Sequence, residues 1–170
     1  MVEEMFGPRD RSYTILGVDF TTDAQPSHWY PHAQHGIGKN VIVLLTTNAA
    51  PDEDRALFQL SHEAFHLLSS SVLGTATNLE EGLATYFSLW YMAQIGRPLS
   101  ANYIELPSYR HAFEDVQALM ELYPDTAARI KRFRSAEPPR ALSTMSCEEF
   151  QRLFPKASDS LAQELTSKFQ

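Results

Sequence analysis

The chain has 170 residues, 44% hydrophobic and 21% charged, which suits a globular protein able to bury a core within one domain spanning 1–170. A formal net charge of −7, with 14 Lys and Arg against 21 Asp and Glu, leaves no strong electrostatic case for a nucleic-acid partner. The single Cys147 excludes an internal disulfide framework and fits a reducing compartment.

The N-terminal stretch MVEEMFGPRDRSYT is acidic and has no apolar core, so no signal peptide is expected. No apolar run approaches a membrane span, so a soluble, cytoplasmic protein without a membrane partner is the expectation. Tyr13 to Phe20, YTILGVDF, is rich in β-branched and aromatic residues and reads as a strand. The segment TTDAQPSHWYPHAQHGIGK, which carries His28, His32 and His35, has the Pro and Gly content of a loop; the three histidines could line the cleft or bind an adventitious metal, but read first as ordinary loop residues. Asn40 to Thr47, NVIVLLTT, is a nearly continuous apolar run and reads as a second strand.

From about Pro51 the pattern turns helical. Leu57, Leu60, Ala64 and Leu67 recur at three- and four-residue steps and mark an apolar face. Asp52, Glu53 and Asp54 suit the positive end of that helix. The loop SSSVLGTAT follows, and a second helix runs from near Asn78 to about Ile95, where Gly96 and Pro98 stop it. A third helix spans roughly Tyr109 to Tyr123 and a fourth starts after Asp125. The basic cluster RIKRFR, Arg129 to Arg134, reads as the solvated face of a helix. Ser146 opens a capping-box pattern, SCEE, for a fifth helix, and Leu161, Leu165 and Phe169 mark a last amphipathic segment. The fold class is α+β, with N-terminal strands and a mainly helical C-terminal half.

The stretch LSHEAFHLLS, Leu60 to Ser69, carries the chemistry. His62 and His66 are four apart, so they differ by about 40° in direction and share one side of the helix. Two imidazoles so placed can hold one metal ion, and Glu63 beside them can take a proton from a water that Zn²⁺ has acidified. This is the mechanical content of HExxH. A catalytic zinc takes three protein ligands as a rule, so a third is expected from an element packed against this helix.

The next helix supplies the candidate. EEGLATY, Glu80 to Tyr86, together with HEAFH resembles the gluzincin metallopeptidases, whose second helix carries a glutamate ligand in a string close to NEGFATY. The resemblance covers about Leu60 to Tyr86. It implies a small zincin-like domain, a Zn²⁺ cofactor held by His62, His66 and Glu81, Glu63 as the catalytic base, and a peptide or protein as substrate. The spacing from His66 to Glu81 is shorter than in the large aminopeptidases, and their GxMEN-type signature is absent, so aminopeptidase activity is not implied. Glu81 also has a rival reading: with Asn78 as N-cap it falls at the capping-box position, and Glu80 is an alternative ligand.

Thr85, four residues after Glu81, can hydrogen-bond a ligand, whereas Tyr86 points away and reads as a packing residue. An oxyanion donor is expected from a later segment, with His111 and Tyr109 ranked first and Tyr103 after them. The strand Asn40 to Thr47, just before the HExxH helix, is the candidate to pair with an extended substrate at a sheet edge; the other reading is a buried strand supporting the helix, which its apolar continuity favours for the middle residues. Two further readings stand beside a peptidase: a regulatory HExxH peptidase that cleaves a repressor or partner protein, and a non-catalytic zinc-binding module that keeps the peptidase fold.

Overall fold

The computed structural model describes residues 1–31, 39–69 and 76–170; His32, His35 and most of the loop SSSVLGTAT lie outside them. A short helix α1 (Val2–Phe6) precedes strands β1 (Thr14–Thr21), β2 (Ser27–Trp29) and β3 (Asn40–Thr46). Then come α2 (Glu53–His66), α3 (Asn78–Gln94), α4 (Pro107–Leu122), α5 (Thr126–Arg134), α6 (Cys147–Leu153) and α7 (Asp159–Thr166). The class is α+β, with a three-stranded sheet and a mostly helical remainder. No helix among the described residues is long and apolar enough to cross a membrane.

The strand order is β1-β3-β2, with β1 parallel and β2 antiparallel to β3. The apolar run of β3 thus makes the middle strand, not an edge. Val41, Val43 and Leu45 of β3 are buried toward the core, as a run apolar on both faces predicts for a central strand. With β1 along one side and β2 along Ile42–Leu44 on the other, the middle of β3 is a buried supporting strand and not an edge that pairs with a substrate. The strand bordering the HExxH helix at the sheet edge is β2, inside a segment that reads as loop. It is only three residues long and lies between Pro26 and Pro31, too short for a period-two pattern to register.

Helix α2 starts at Asp52, whose carboxylate accepts from the Arg55 N–H at 3.0 Å. It separates two apolar clusters. Ala56, Leu60 and Leu67 pack with Val41, Val43 and Leu45 on the sheet, while Phe65 and Leu68 join the larger helical core with Leu79, Leu83, Val116 and Leu119. The apolar face read from Leu57, Leu60, Ala64 and Leu67 therefore misses half of the burial. Of those four only Leu67 is fully buried, while the polar Gln59, Ser61, His62 and Glu63 are. A helix clamped between a sheet and other helices buries its polar side too, and those groups need partners. Gln59 finds one in Thr46, donating to its hydroxyl at 2.8 Å and accepting from its N–H at 3.0 Å.

Helix α3 packs closely on α4 at Gly82. A Cβ there would collide with the carbonyl oxygen of Ala112 and lie 2.6 Å from Val116 Cγ2. The basic cluster of α5 is only partly a solvated face: Lys131 and Arg132 are exposed, but Arg134 is fully buried. After α7 the chain returns along the start of α3, where the Phe169 N–H donates to Ala76 O at 3.0 Å and Thr77 bridges Lys168.

Candidate metal centre

The starts and ends of α2 and α3 set the site. Thr77 is the N-cap of α3, and its hydroxyl accepts from the Glu80 N–H at 3.3 Å. The helix is thus capped one residue earlier than Asn78, and the third helical position belongs to Glu80. Glu81 falls one residue beyond the capping-box place, and its carboxylate turns to the histidines of α2 instead.

Three ligand atoms converge there. His62 Nε2 lies 3.1 Å from Glu81 Oε2 and 3.1 Å from His66 Nε2, and His66 Nε2 lies 3.4 Å from Glu81 Oε2. Together they form a group that could hold a metal ion. A tetrahedral ion with bonds of about 2.0–2.1 Å sets its ligand atoms about 3.3–3.4 Å apart, so the three atoms fit one face of such a tetrahedron. Glu80 takes a supporting place: its Oε1 is 3.4 Å from His66 Nδ1, which would fix that ring with Nε2 turned to the centre.

The electrostatics match a cation site. Burial opposes charge on His66, but the Glu81 carboxylate and hydrogen bonds to Glu80 and Glu81 outweigh it and hold the imidazole pKa well above its ordinary value. Burial likewise opposes charge on Glu81, and His66 with the His62 and His66 hydrogen bonds outweighs it, so its pKa falls well below the carboxylate range. The two acids differ. Glu63 is pushed up, first by burial and further by Glu81, against the pull of His66 and His62.

Glu63 has a partner that sequence reasoning passed over. His28, on β2, pairs with Val43 of β3. Directly opposed residues project to the same side of a sheet, and Val43 faces the core, so His28 faces α2. Its Nε2 is 3.2 Å from Glu63 Oε2 and 3.2 Å from the Glu63 carbonyl oxygen. Burial, with the neighbouring His66, lowers the His28 pKa to about 3. The local sequence signal for the strand is the aromatic pair Trp29 and Tyr30 in SHWY, between Pro26 and Pro31.

Of the proposed oxyanion donors, Tyr109 reaches the site. Its ring meets His62 edge-on at 5.6 Å and Phe169 at 4.7 Å, and its hydroxyl donates to Gln25 Oε1 at 3.3 Å. Burial and the Glu81 and Glu63 charges raise its pKa, so the phenol keeps its proton at neutral pH. His111 stands elsewhere. Its side chain is 61% exposed and lies 3.6 Å from both Asp115 and Glu164, tying α4 to α7. That trio is a second group of metal-ligand type, more exposed than the first. Tyr103 packs its ring on Phe58 at 5.2 Å. The Tyr103 and Thr85 hydroxyls have no hydrogen-bond partner among the described residues, so Thr85 does not support Glu81. Tyr86 packs, partly buried, against the helical core.

Two cavities meet at His62 and Tyr109. A cleft of about 460 Å³ runs past His28, Glu63, His66, Glu81 and Phe169. A pocket of about 210 Å³, walled by Phe58, Tyr103, Ile104 and Leu106, opens on the other side of His62. Fold and site together define an α+β domain with a buried two-histidine, one-glutamate centre at the floor of a cleft. Compared with protein families, with curated proteins and with solved structures, the chain matches none of them.

Proposed function

We propose that the chain is a zinc-dependent peptidase of the gluzincin kind, built as a small zincin-like domain. The observation that carries this reading is the convergence of His62 Nε2, His66 Nε2 and Glu81 Oε2 within 3.1–3.4 Å of one another. Two imidazoles, one carboxylate and a fourth direction open to a cleft are the donor set of a catalytic zinc rather than of a closed structural one. A zinc ion held there supplies a Lewis acid that lowers the pKa of water towards neutrality and polarises a peptide carbonyl.

The chain's own groups do the rest. Glu63, buried and pushed above its ordinary pKa, is suited to take a proton near neutral pH and pass it to the departing amine. Tyr109, kept protonated, offers its hydroxyl to the oxygen on which negative charge develops. The apolar pocket beside His62 is smaller than a typical drug-sized site and accommodates one substrate side chain. Strand β2, at the sheet edge and lining the cleft through Ser27 and His28, takes the substrate-pairing role expected of β3.

Metal analysis beside an assay on casein tests the reading. Wild type is expected to bind one zinc per chain and to hydrolyse casein. Glu81→Ala is expected to lose most of its zinc affinity. Glu63→Gln is expected to keep zinc and lose hydrolysis. A wild type that binds no zinc above background refutes the reading, and one that binds zinc yet is as inactive as Glu63→Gln is a binding module instead.

A further inference from the structure

We propose that His28 is the positioning residue of Glu63: its Nε2 donates to the glutamate's carbonyl oxygen and stands against its carboxylate, which fixes that side chain beside the metal centre. The proposal rests on the peptidase reading, because it assigns a purpose to the base of that reaction. It stands on geometry. Both side chains are buried, His28 at 7% and Glu63 at 6% exposure. His28 Nε2 faces two acceptor oxygens of one residue, the carbonyl oxygen and Oε2 of Glu63, each at 3.2 Å.

A neutral imidazole has one N–H. Two oxygens around Nε2 require that hydrogen there, which leaves Nδ1 as an acceptor. Nδ1 meets the Tyr30 hydroxyl at 3.4 Å, a group that can donate. The resulting order is Tyr30 to His28 to Glu63, each donating to the next. The rings are fixed as well: His28 meets Tyr30 edge-on at 6.1 Å, and Tyr30 meets Tyr13 at 5.8 Å.

The arrangement solves a problem that the helix creates. Glu63 sits at the end of α2, where the helix tightens into the short turn Leu67–Ser69, and its carboxylate is next to two ligands it should not join. The imidazole, bonded to the Glu63 carbonyl and 3.2 Å from Oε2, closes off one side of the carboxylate and leaves the other oxygen to accept a proton. A three-residue strand is enough, because only one side chain must cross from sheet to helix. His28 is not part of the converging trio, since its ring centroid is 6.3 Å from that of His66.

Kinetics of the zinc-loaded full chain on casein tests this, with His28→Ala, His28→Gln and Glu63→Gln side by side. A base that loses its orientation costs on the order of 10²-fold. His28→Ala is expected to lower kcat about that much with KM and zinc content unchanged. His28→Gln, whose amide can donate to the same carbonyl oxygen, is expected to recover at least tenfold of that loss. Nitrogen-15 NMR of the metal-free wild type is expected to show the Nε2–H tautomer of His28. The proposal is overturned if His28→Ala keeps kcat within threefold of wild type, if it loses zinc, if Ala and Gln fall equally, or if the tautomer is Nδ1–H. If Glu63→Gln hydrolyses as well as wild type, the peptidase reading fails first and takes this proposal with it.

Discussion

His66 has a carboxylate at each ring nitrogen, Glu80 at Nδ1 and Glu81 at Nε2. Without metal that surrounding favours the imidazolium, and the raised pKa follows. A metal ion needs the same Nε2 as a lone pair, so binding must displace a proton. The sign is fixed by the direction of the shift. Below the raised pKa of His66 the apo site binds a proton that the loaded site lacks, so affinity falls as pH falls, by about tenfold per pH unit for one proton. Above that pKa the dependence levels off. Calorimetry of zinc binding to Glu63→Gln at pH 7, in two buffers of different ionisation heat, is expected to give about one proton released per ion. The Gln variant removes the proton of Glu63 from the count. A release near zero would show that His66 is neutral in the apo protein and that its two carboxylates are not the dominant influence.

At the scale of elements, the position of Glu81 depends on how close α3 comes to α4. Gly82 is the contact point, with Ala112 O and Val116 against it. Helix propensity alone says that Gly82→Ala should stabilise by up to about 1 kcal/mol. Overpacking of a buried contact costs about 1–3 kcal/mol, and here the neighbour is backbone, which cannot swing away. Destabilisation is therefore expected. The shifted helix would also carry Glu81 off its place, with zinc affinity down by about 10- to 100-fold. Urea denaturation and a zinc-chelator competition measure the two effects, and a stabilised Gly82→Ala would refute the close approach. The same elements explain what could be read in the sequence. Periodicity and stop signals outlined α2 and α3, and with them His62, Glu63 and His66. Glu81 was preferred over Glu80 only through the resemblance of EEGLATY; helix signals alone left the capping-box reading open, because the cap lies at Thr77 rather than Asn78, a difference of one residue. Strand β2 could not be read, because it rests on pairing with β3 farther along the chain, and without it nothing set His28 apart from the other loop histidines. Likewise, no local pattern reveals that α2 is buried on its polar side; that follows from the sheet and α3 closing on it from opposite directions.

Across the whole molecule, Arg134 is the largest fully buried side chain, and it reaches parts of the chain far apart in sequence. Its guanidinium donates to the carbonyls of Phe6 at 3.0 Å, Pro8 at 3.1 Å, Arg140 at 3.2 Å and Leu68 at 2.7 Å. Burial lowers its pKa to about 10, against the charges of Glu80 and Glu3, so it remains charged at neutral pH with carbonyl oxygens as its hydrogen-bond partners. The shortest of these bonds goes to the turn that continues α2 beyond His66. The N-terminal segment, the turn that follows α2 and α5 are therefore joined through one cation. Replacing it leaves the Phe6 carbonyl buried and unpaired and takes a donor from the part-buried Pro8 and Arg140 bonds, while Leu68 O keeps the Asp10 N–H; a buried acceptor left unpaired costs about 1–3 kcal/mol before relaxation. Arg134→Met, which keeps the length and loses the donors, is expected to destabilise the apo protein by at least about 3 kcal/mol, or roughly 6–12 °C in Tm for a chain of this size. Arg134→Lys keeps the charge but offers a compact head with three donors in place of a planar fork, and it should fall between the two. Thermal unfolding of the three proteins without metal gives the order directly. A loss below about 1 kcal/mol in Arg134→Met would mean that water satisfies those carbonyls as well as the guanidinium does, and the link between α5 and the metal-bearing helix would then carry no appreciable energy.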